Sequence, residues 1–166
     1  MYPTTEAFLA AAQPFADLVS GWARQYSPDA MADHICFKCA SAAEFEQLRA
    51  VLETDAGFTY QSLIAGRRIA IVKFPRPLPT ALGDIWYLEL SDQKPDGSQT
   101  SGFDHVEIFP KAGTMEALGD ALESKGMKLE KVVRPHHTTI DGFIEDAFKI
   151  RLEPEPLMTK IVREEI

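Results

Sequence analysis

Two histidines and two glutamates hold matching places in two similar stretches of this chain. His34 opens the apolar run of Asp33-His34-Ile35-Cys36-Phe37-Lys38, and His105 that of Asp104-His105-Val106-Glu107-Ile108-Phe109. Glu89 lies in Tyr87-Leu88-Glu89-Leu90 and Glu153 in Arg151-Leu152-Glu153-Pro154. The histidines are 71 positions apart; Glu89 follows His34 by 55, and Glu153 follows His105 by 48. Imidazoles and carboxylates are ligands for a divalent first-row metal. Two ionised carboxylates gathered in a cleft are costly without a counter-charge. A divalent cation cancels both, two neutral imidazoles complete four protein ligands, and water or substrate takes an open position.

The elements that must position these groups are strands, in which alternate residues share a face. His34 and Cys36 stand opposite Ile35 and Phe37. Tyr87 and Glu89 stand opposite Trp86, Leu88 and Leu90. His105 and Glu107 stand opposite Val106 and Ile108, and Arg151 and Glu153 opposite Ile150 and Leu152. Each strand thus offers one apolar face to pack under helices and one face carrying His or Glu. A solvated sheet face also accepts such residues, but would normally carry Lys, Thr, Ser and Gln among them. By the same alternation Asp33 and Asp104 point away from their histidine neighbours and read as strand-start residues outside the chemistry.

The surrounding pattern repeats as well. Residues 1–31 form a helical extension with Phe8, Leu9, Ala12, Phe15, Ala16, Val19 and Trp22 at helical spacing. Thr4 or Thr5 caps it, and Pro14 is expected to kink or divide it. Residues 32–91 read as a β-α-β-β-β module, with Phe45, Leu48 and Leu52 striping its helix. Its hairpin, Phe58–Ala65 and Ile69–Phe74, turns at Gly66-Arg67-Arg68, which leaves both arginines solvated at the tip. Pro75, Pro77 and Pro79 mark a loop. Residues 92–102 form a polar linker, 103–155 a second β-α-β-β-β module, and 156–166 a helical tail. In the second module Met115, Leu118 and Leu122 line the helix, Gly126 caps it, and the turn chemistry near Asp141-Gly142 is left open. The fold class is α+β, with helices on the outer face of a curved, open mixed sheet.

Composition narrows the function. The net charge of −8 and the lack of a basic stripe argue against nucleic acid. No apolar run is long enough to span a membrane, and no basic n-region opens the chain, so a cytoplasmic location is expected. Cys36-Phe37-Lys38-Cys39 has C-x-x-C spacing, but residues three apart on a strand face opposite ways. No second cysteine pair completes a zinc site. The thiols are therefore read as separate, with Cys36 lining the His34 face.

These residues resemble the vicinal oxygen chelate superfamily, which includes glyoxalase I, methylmalonyl-CoA epimerase and extradiol dioxygenases. The resemblance covers about residues 32–154. Asp33-His34, Gly102-Phe103-Asp104-His105-Val106-Glu107, His136-His137-Thr138-Thr139 and Lys149-Ile150-Arg151-Leu152-Glu153-Pro154 look closest to the YecM-like proteins within it. The resemblance implies one divalent transition metal (Zn, Ni, Co, Mn or Fe) on His34, Glu89, His105 and Glu153. It implies a Lewis-acid role for that metal toward adjacent substrate oxygens and an enolate-like anion.

On that basis the expected activity is a metal-dependent isomerase, epimerase or lyase on a small oxygen-rich metabolite, in a monomer or homodimer. Glu89 or Glu153 would serve as base. Glu107 is the rival base or a hydrogen-bond partner for a histidine. Arg151, Tyr87, His137 and Cys36 are candidates for the substrate wall, with Arg151 suited to a carboxylate or phosphate. His136 and His137 are adjacent, so at most one faces the cleft from a strand. A non-haem iron dioxygenase using His34, His105 and Glu153 is the alternative. A ligand-sequestering protein without catalysis is the third reading.

Overall fold

The computed structural model describes residues 2–134 and 137–165. Helix α1 (Thr5–Tyr26) starts at Thr4, whose side chain accepts from the Ala7 amide. Pro14 lies inside α1 and the helix is single, so of the kink or division expected there the division does not occur. Pro14 and Ala10, whose carbonyl it leaves without a donor, are both on the exposed side. Phe8, Leu9 and Ala12 before it, and Ala16 and Val19 after it, are fully buried. Burial of both halves on one surface outweighs the cost of about 3 kcal/mol for an interior proline.

Strand β1 (Ala30–Lys38) follows, then α2 (Ala42–Glu53), whose cap Ser41 accepts from Glu44 and whose buried residues are Phe45, Leu48 and Leu52. Next come β2 (Phe58–Ile64), β3 (Arg67–Leu78) and β4 (Ile85–Ser91). The second half has β5 (Gly102–Pro110), α3 (Met115–Ser124), β6 (Glu130–Val133), β7 (Thr138–Glu145) and β8 (Phe148–Leu152). Helix α4 (Leu157–Glu165) ends the description.

All eight strands form one open sheet in the order β2-β3-β4-β1-β5-β8-β7-β6. β1 pairs β4 in parallel, β5 pairs β8 in parallel, and β1 and β5 meet antiparallel at the centre. The order is the same read outward from the centre on either side. The three strands that carry His34, Glu89 and His105 and the strand that Glu153 directly follows are therefore adjacent. Ile35, Phe37, Leu88, Leu90, Val106, Ile108, Ile150 and Leu152 join Phe8, Leu9 and Val19 of α1 in one core, as strand alternation requires.

Several local expectations change. The β2–β3 turn is Ala65-Gly66, with φ of 51° and 79°, a left-handed pair suited to a two-residue hairpin. Arg67 and Arg68 therefore begin β3 instead of forming the tip, and Arg68 pairs with Asp92 at 2.8 Å and stacks over Phe45. Pro75 and Pro77 are in β3, not in a loop. They lie beyond Lys73, the last β3 residue paired to β2, where one edge asks for no amide. The β3–β4 register is irregular between Lys73 and Leu78. Close by, Ile85 is buried while Trp86 is exposed beside Lys73, against its expected place under the helices. Gly142 is no turn residue but mid-strand in β7, where a Cβ would meet Met127 at 2.5 Å and Leu129 at 2.7 Å. No helix among the described residues is long and apolar enough to cross a membrane.

Candidate metal centre

The two histidines sit side by side across the central strand pair. β1 and β5 register His34 with Glu107 and Cys36 with His105. Two register shifts interrupt the pairing. From Ala32↔Ile108 to His34↔Glu107, β1 spends one extra residue, Asp33; from Cys36↔His105 to Phe37↔Phe103, β5 spends one extra residue, Asp104. A bulge lets consecutive side chains turn the same way. Asp33 thus reaches its neighbour, with Oδ2 2.7 Å from His34 Nδ1, and Asp104 does the same at 2.7 Å from His105 Nδ1. Simple alternation assigned these aspartates to the opposite face and outside the chemistry. The bulges overturn that, and both carboxylates orient an imidazole so that Nε2 points inward.

Both rings are 1% exposed. His34 Nε2 lies against Glu107 Oε2 and 3.3 Å from Glu89 Oε2, yet forms no hydrogen bond of acceptable geometry. Among the described residues, His34, His105 and Glu107 bring one ligand atom each within 4.8 Å of one another, and so do Cys36, Glu89 and His105. Cys36 Sγ is 3.7 Å from Glu89 Oε1. Glu153 is in neither set; it hydrogen-bonds Glu107 and stands 3.5 Å from His137 Nε2. A buried imidazole nitrogen without a bond, aimed at carboxylates beside a second imidazole, fits a divalent cation in donor type and charge.

Charge and shared protons tie the side chains of the cluster together. Burial opposes charge on His34, but Glu107, Asp33 and Glu89 outweigh it and keep the ring protonated well above the usual range. Burial would raise Glu107, and the His34 charge instead holds it low. Burial and the Glu107 charge push Glu153 up to about 9, so this pair shares one proton. His105 is shifted down by burial and then by Arg151, whose Nη1 is 3.2 Å from His105 Nε2.

A family model of the YecM protein matches residues 5–153. The chain belongs to the YecM family. A search of curated proteins finds no match. Among solved structures, Protein EC4020, a structural-genomics target, is 21% identical with a TM-score of 0.74, covering 95% of this chain and 91% of that one. The hydroxyglutarate synthase of Oryza sativa is 10% identical with a TM-score of 0.50, covering 98% of this chain and 82% of that one. These likenesses show a shared fold.

In this YecM-family chain the cluster opens into a pocket of about 800 Å³. His34, Glu89, Glu107 and Glu153 line it, as do Arg151 and His137 from the substrate-wall candidates. Tyr87 is not among its lining residues, and Cys36 is fully buried behind Glu89. His136 lies outside the described residues. Cys39 is buried in the helix-side core, so the C-x-x-C thiols do diverge. Sequence reasoning missed Asp141, which accepts two hydrogen bonds from Arg151, and Arg134 and Lys160 on the pocket wall. Asp141 carried a signal, since it is an acid on a strand that had to neighbour Arg151. Lys160 carried none, because nothing local tells which face of a terminal helix meets the sheet.

Proposed function

We propose that this protein is a metal-dependent enzyme of the vicinal oxygen chelate type, acting on a small oxygen-rich metabolite by isomerisation, epimerisation or elimination. The observation that carries the reading is the buried His34 Nε2, without a hydrogen bond, beside His105, Glu107 and Glu89. These four residues would hold the ion. When bound, a divalent first-row metal supplies Lewis-acid polarisation of adjacent substrate oxygens.

The chain's own residues do the rest. Asp33 and Asp104 fix the tautomer of each histidine by accepting from Nδ1. Glu153 lines the pocket and holds a proton against Glu107, with His137 Nε2 at 3.5 Å leading to the exposed rim. Glu153 would thereby give or take a proton at a substrate carbon, with a path to solvent. Ile64, Ile69, Ile108 and Met115 line the same pocket and keep the reacting end away from bulk water.

One observation favours a second reading. His34, His105 and Glu107 are two histidines and one carboxylate, the donor set of non-haem iron oxygenases. Metal analysis of untagged protein tests both. About one first-row metal per chain is expected in the wild type and none in His34→Ala or His105→Ala. Iron with oxygen uptake would select the dioxygenase reading. A wild-type protein that takes up no metal would end both.

A further inference from the structure

Arg151, Arg134 and Lys160 gather on one wall of the pocket, where Asp141, Glu153 and Glu107 act on Arg134, and Lys160 acts on Glu153. Arg151 spans Asp141 with two parallel hydrogen bonds of 3.0 and 3.1 Å. Arg134 reaches the same carboxylate at 3.4 Å and also donates to Thr139. Two guanidiniums therefore share one carboxylate, and burial followed by repulsion from Arg151 works against the Arg134 charge. Lys160 of α4 lines the same pocket, half-buried, with no carboxylate oxygen within 4.0 Å among the described residues. After burial, Lys160 and Arg134 are the charges that act most on His137, so both cations lie near that ring.

The position of Lys160 is built. The Leu157 amide at the start of α4 donates to Asp33 Oδ2 at 2.9 Å, the same oxygen that orients His34. From that anchor Leu157, Lys160 and Arg163 follow at intervals of three and face the pocket. Arg163 is met by Glu155 at 2.6 Å, which leaves Lys160 as the charge this helix offers. The family match ends at residue 153, so α4 follows it.

Two guanidiniums on one carboxylate and an ammonium with no carboxylate partner among the described residues, half-withdrawn from water on one wall, favour an anion that accepts from Arg134 and Lys160. We propose that Arg134 and Lys160, with His137 between them, form a subsite for an anionic oxygen group of the substrate, a carboxylate or a phosphate. The substrate would then be an acid whose far end reaches His34, His105 and Glu107. That last clause rests on the metal-enzyme reading; the anion subsite does not.

Calorimetric titration tests the subsite in chelator-treated and in zinc-supplemented protein. Glutarate and glycerol 3-phosphate are the anionic probes, and 1,5-pentanediol is the neutral one. At least one anion is expected to bind and the diol not. Lys160→Met should weaken the anion by about tenfold or more, the value of a charge-assisted hydrogen bond. Arg134→Gln should do the same, with folding checked by circular dichroism. Arg76→Met makes the same charge change at an exposed site paired with Glu6, and should leave affinity within about twofold. The tighter of the two anions identifies carboxylate or phosphate. If neither anion binds, or if Lys160→Met binds as tightly as wild type, the subsite is wrong. If zinc fails to bind while Lys160-dependent anion binding persists, the subsite stands and the metal reading falls.

Discussion

Replacing Asp104 by alanine removes the carboxylate that aims His105 and leaves every proposed metal ligand unchanged in type. Asp104 Oδ2 is 2.7 Å from His105 Nδ1, and the ring is 1% exposed. A hydrogen bond to a charged acceptor contributes about 1.5–3 kcal/mol. At 1.4 kcal/mol per factor of ten, that is roughly ten- to over a hundredfold in any equilibrium that needs the oriented ring. Lys38 and Lys149 act in the same direction. They lie 3.2 and 3.4 Å from Asp104, and without it two mostly buried ammonium groups face the site uncompensated. Zinc affinity of Asp104→Ala, measured by competition with a chromogenic chelator, should therefore fall by about ten- to a hundredfold. Asp104→Asn keeps an acceptor but loses the charge, and should lose less. Circular dichroism establishes that both variants fold. If Asp104→Ala binds zinc within about twofold of wild type while His105→Ala abolishes binding, the bulge-borne aspartate does not position the ligand and the reasoning fails.

Three further outcomes follow from separate parts of the molecule. Gly142→Ala should destabilise the protein by about 1–3 kcal/mol in urea, because the new methyl meets Met127, Leu129 and the Lys128 carbonyl; an unchanged midpoint would show that β7 gives way freely. Burial pushes the Cys39 thiol up to about 12, with Glu44 and Asp92 adding to it, so iodoacetamide at mild alkaline pH should label Cys39 in urea and not in the folded protein. Burial would raise Asp141, but Arg151 holds it below the usual carboxylate range. Its folded pKa is the lower one, so its contribution is present above the unfolded value of about 3.9 and lost as pH falls through the folded one. The gap in Tm between wild type and Asp141→Asn should accordingly narrow below about pH 4, and a constant gap would exclude the ion pair as its source.

Alternation made the sheet legible. Ile35, Phe37, Val106, Ile108, Ile150 and Leu152 had to share the helix side, and they do. Where alternation breaks, the reading broke with it: Asp33 and Asp104 sit on bulges, and Trp86 lies near a register irregularity. A bulge leaves no mark in one strand's sequence, because it is a mismatch between two strands. Pro75 and Pro77 misled for a related reason. Proline excludes a paired position, and whether a strand position is paired depends on where its neighbour stops. Pro14 misled because its cost is small against a buried face that continues on both sides of it.

The duplication is least faithful at the site itself, and that infidelity has chemical content. The symmetric partner of Glu107, two residues after His105, is Cys36, two residues after His34. The register pairs each with the opposite histidine, His34 with Glu107 and Cys36 with His105. A thiol whose pKa burial raises and the Glu89 charge raises further brings no charge to its side. Glu107 brings one, and brings it directly against His34. With Glu89 also ionised by His34 after burial is overcome, the cluster already holds the two negative charges that a divalent cation requires. Burial and the neighbouring Glu107 charge outweigh Lys160 and Arg151 at the third carboxylate, and Glu153 accordingly keeps its proton. A strictly symmetric pair of modules would commit both Glu89 and Glu153 to the ion. On the metal-enzyme proposal, glutamate on β5 in the place that cysteine takes on β1 would instead leave Glu153, on the pocket wall beside His137, as the carboxyl that carries a proton.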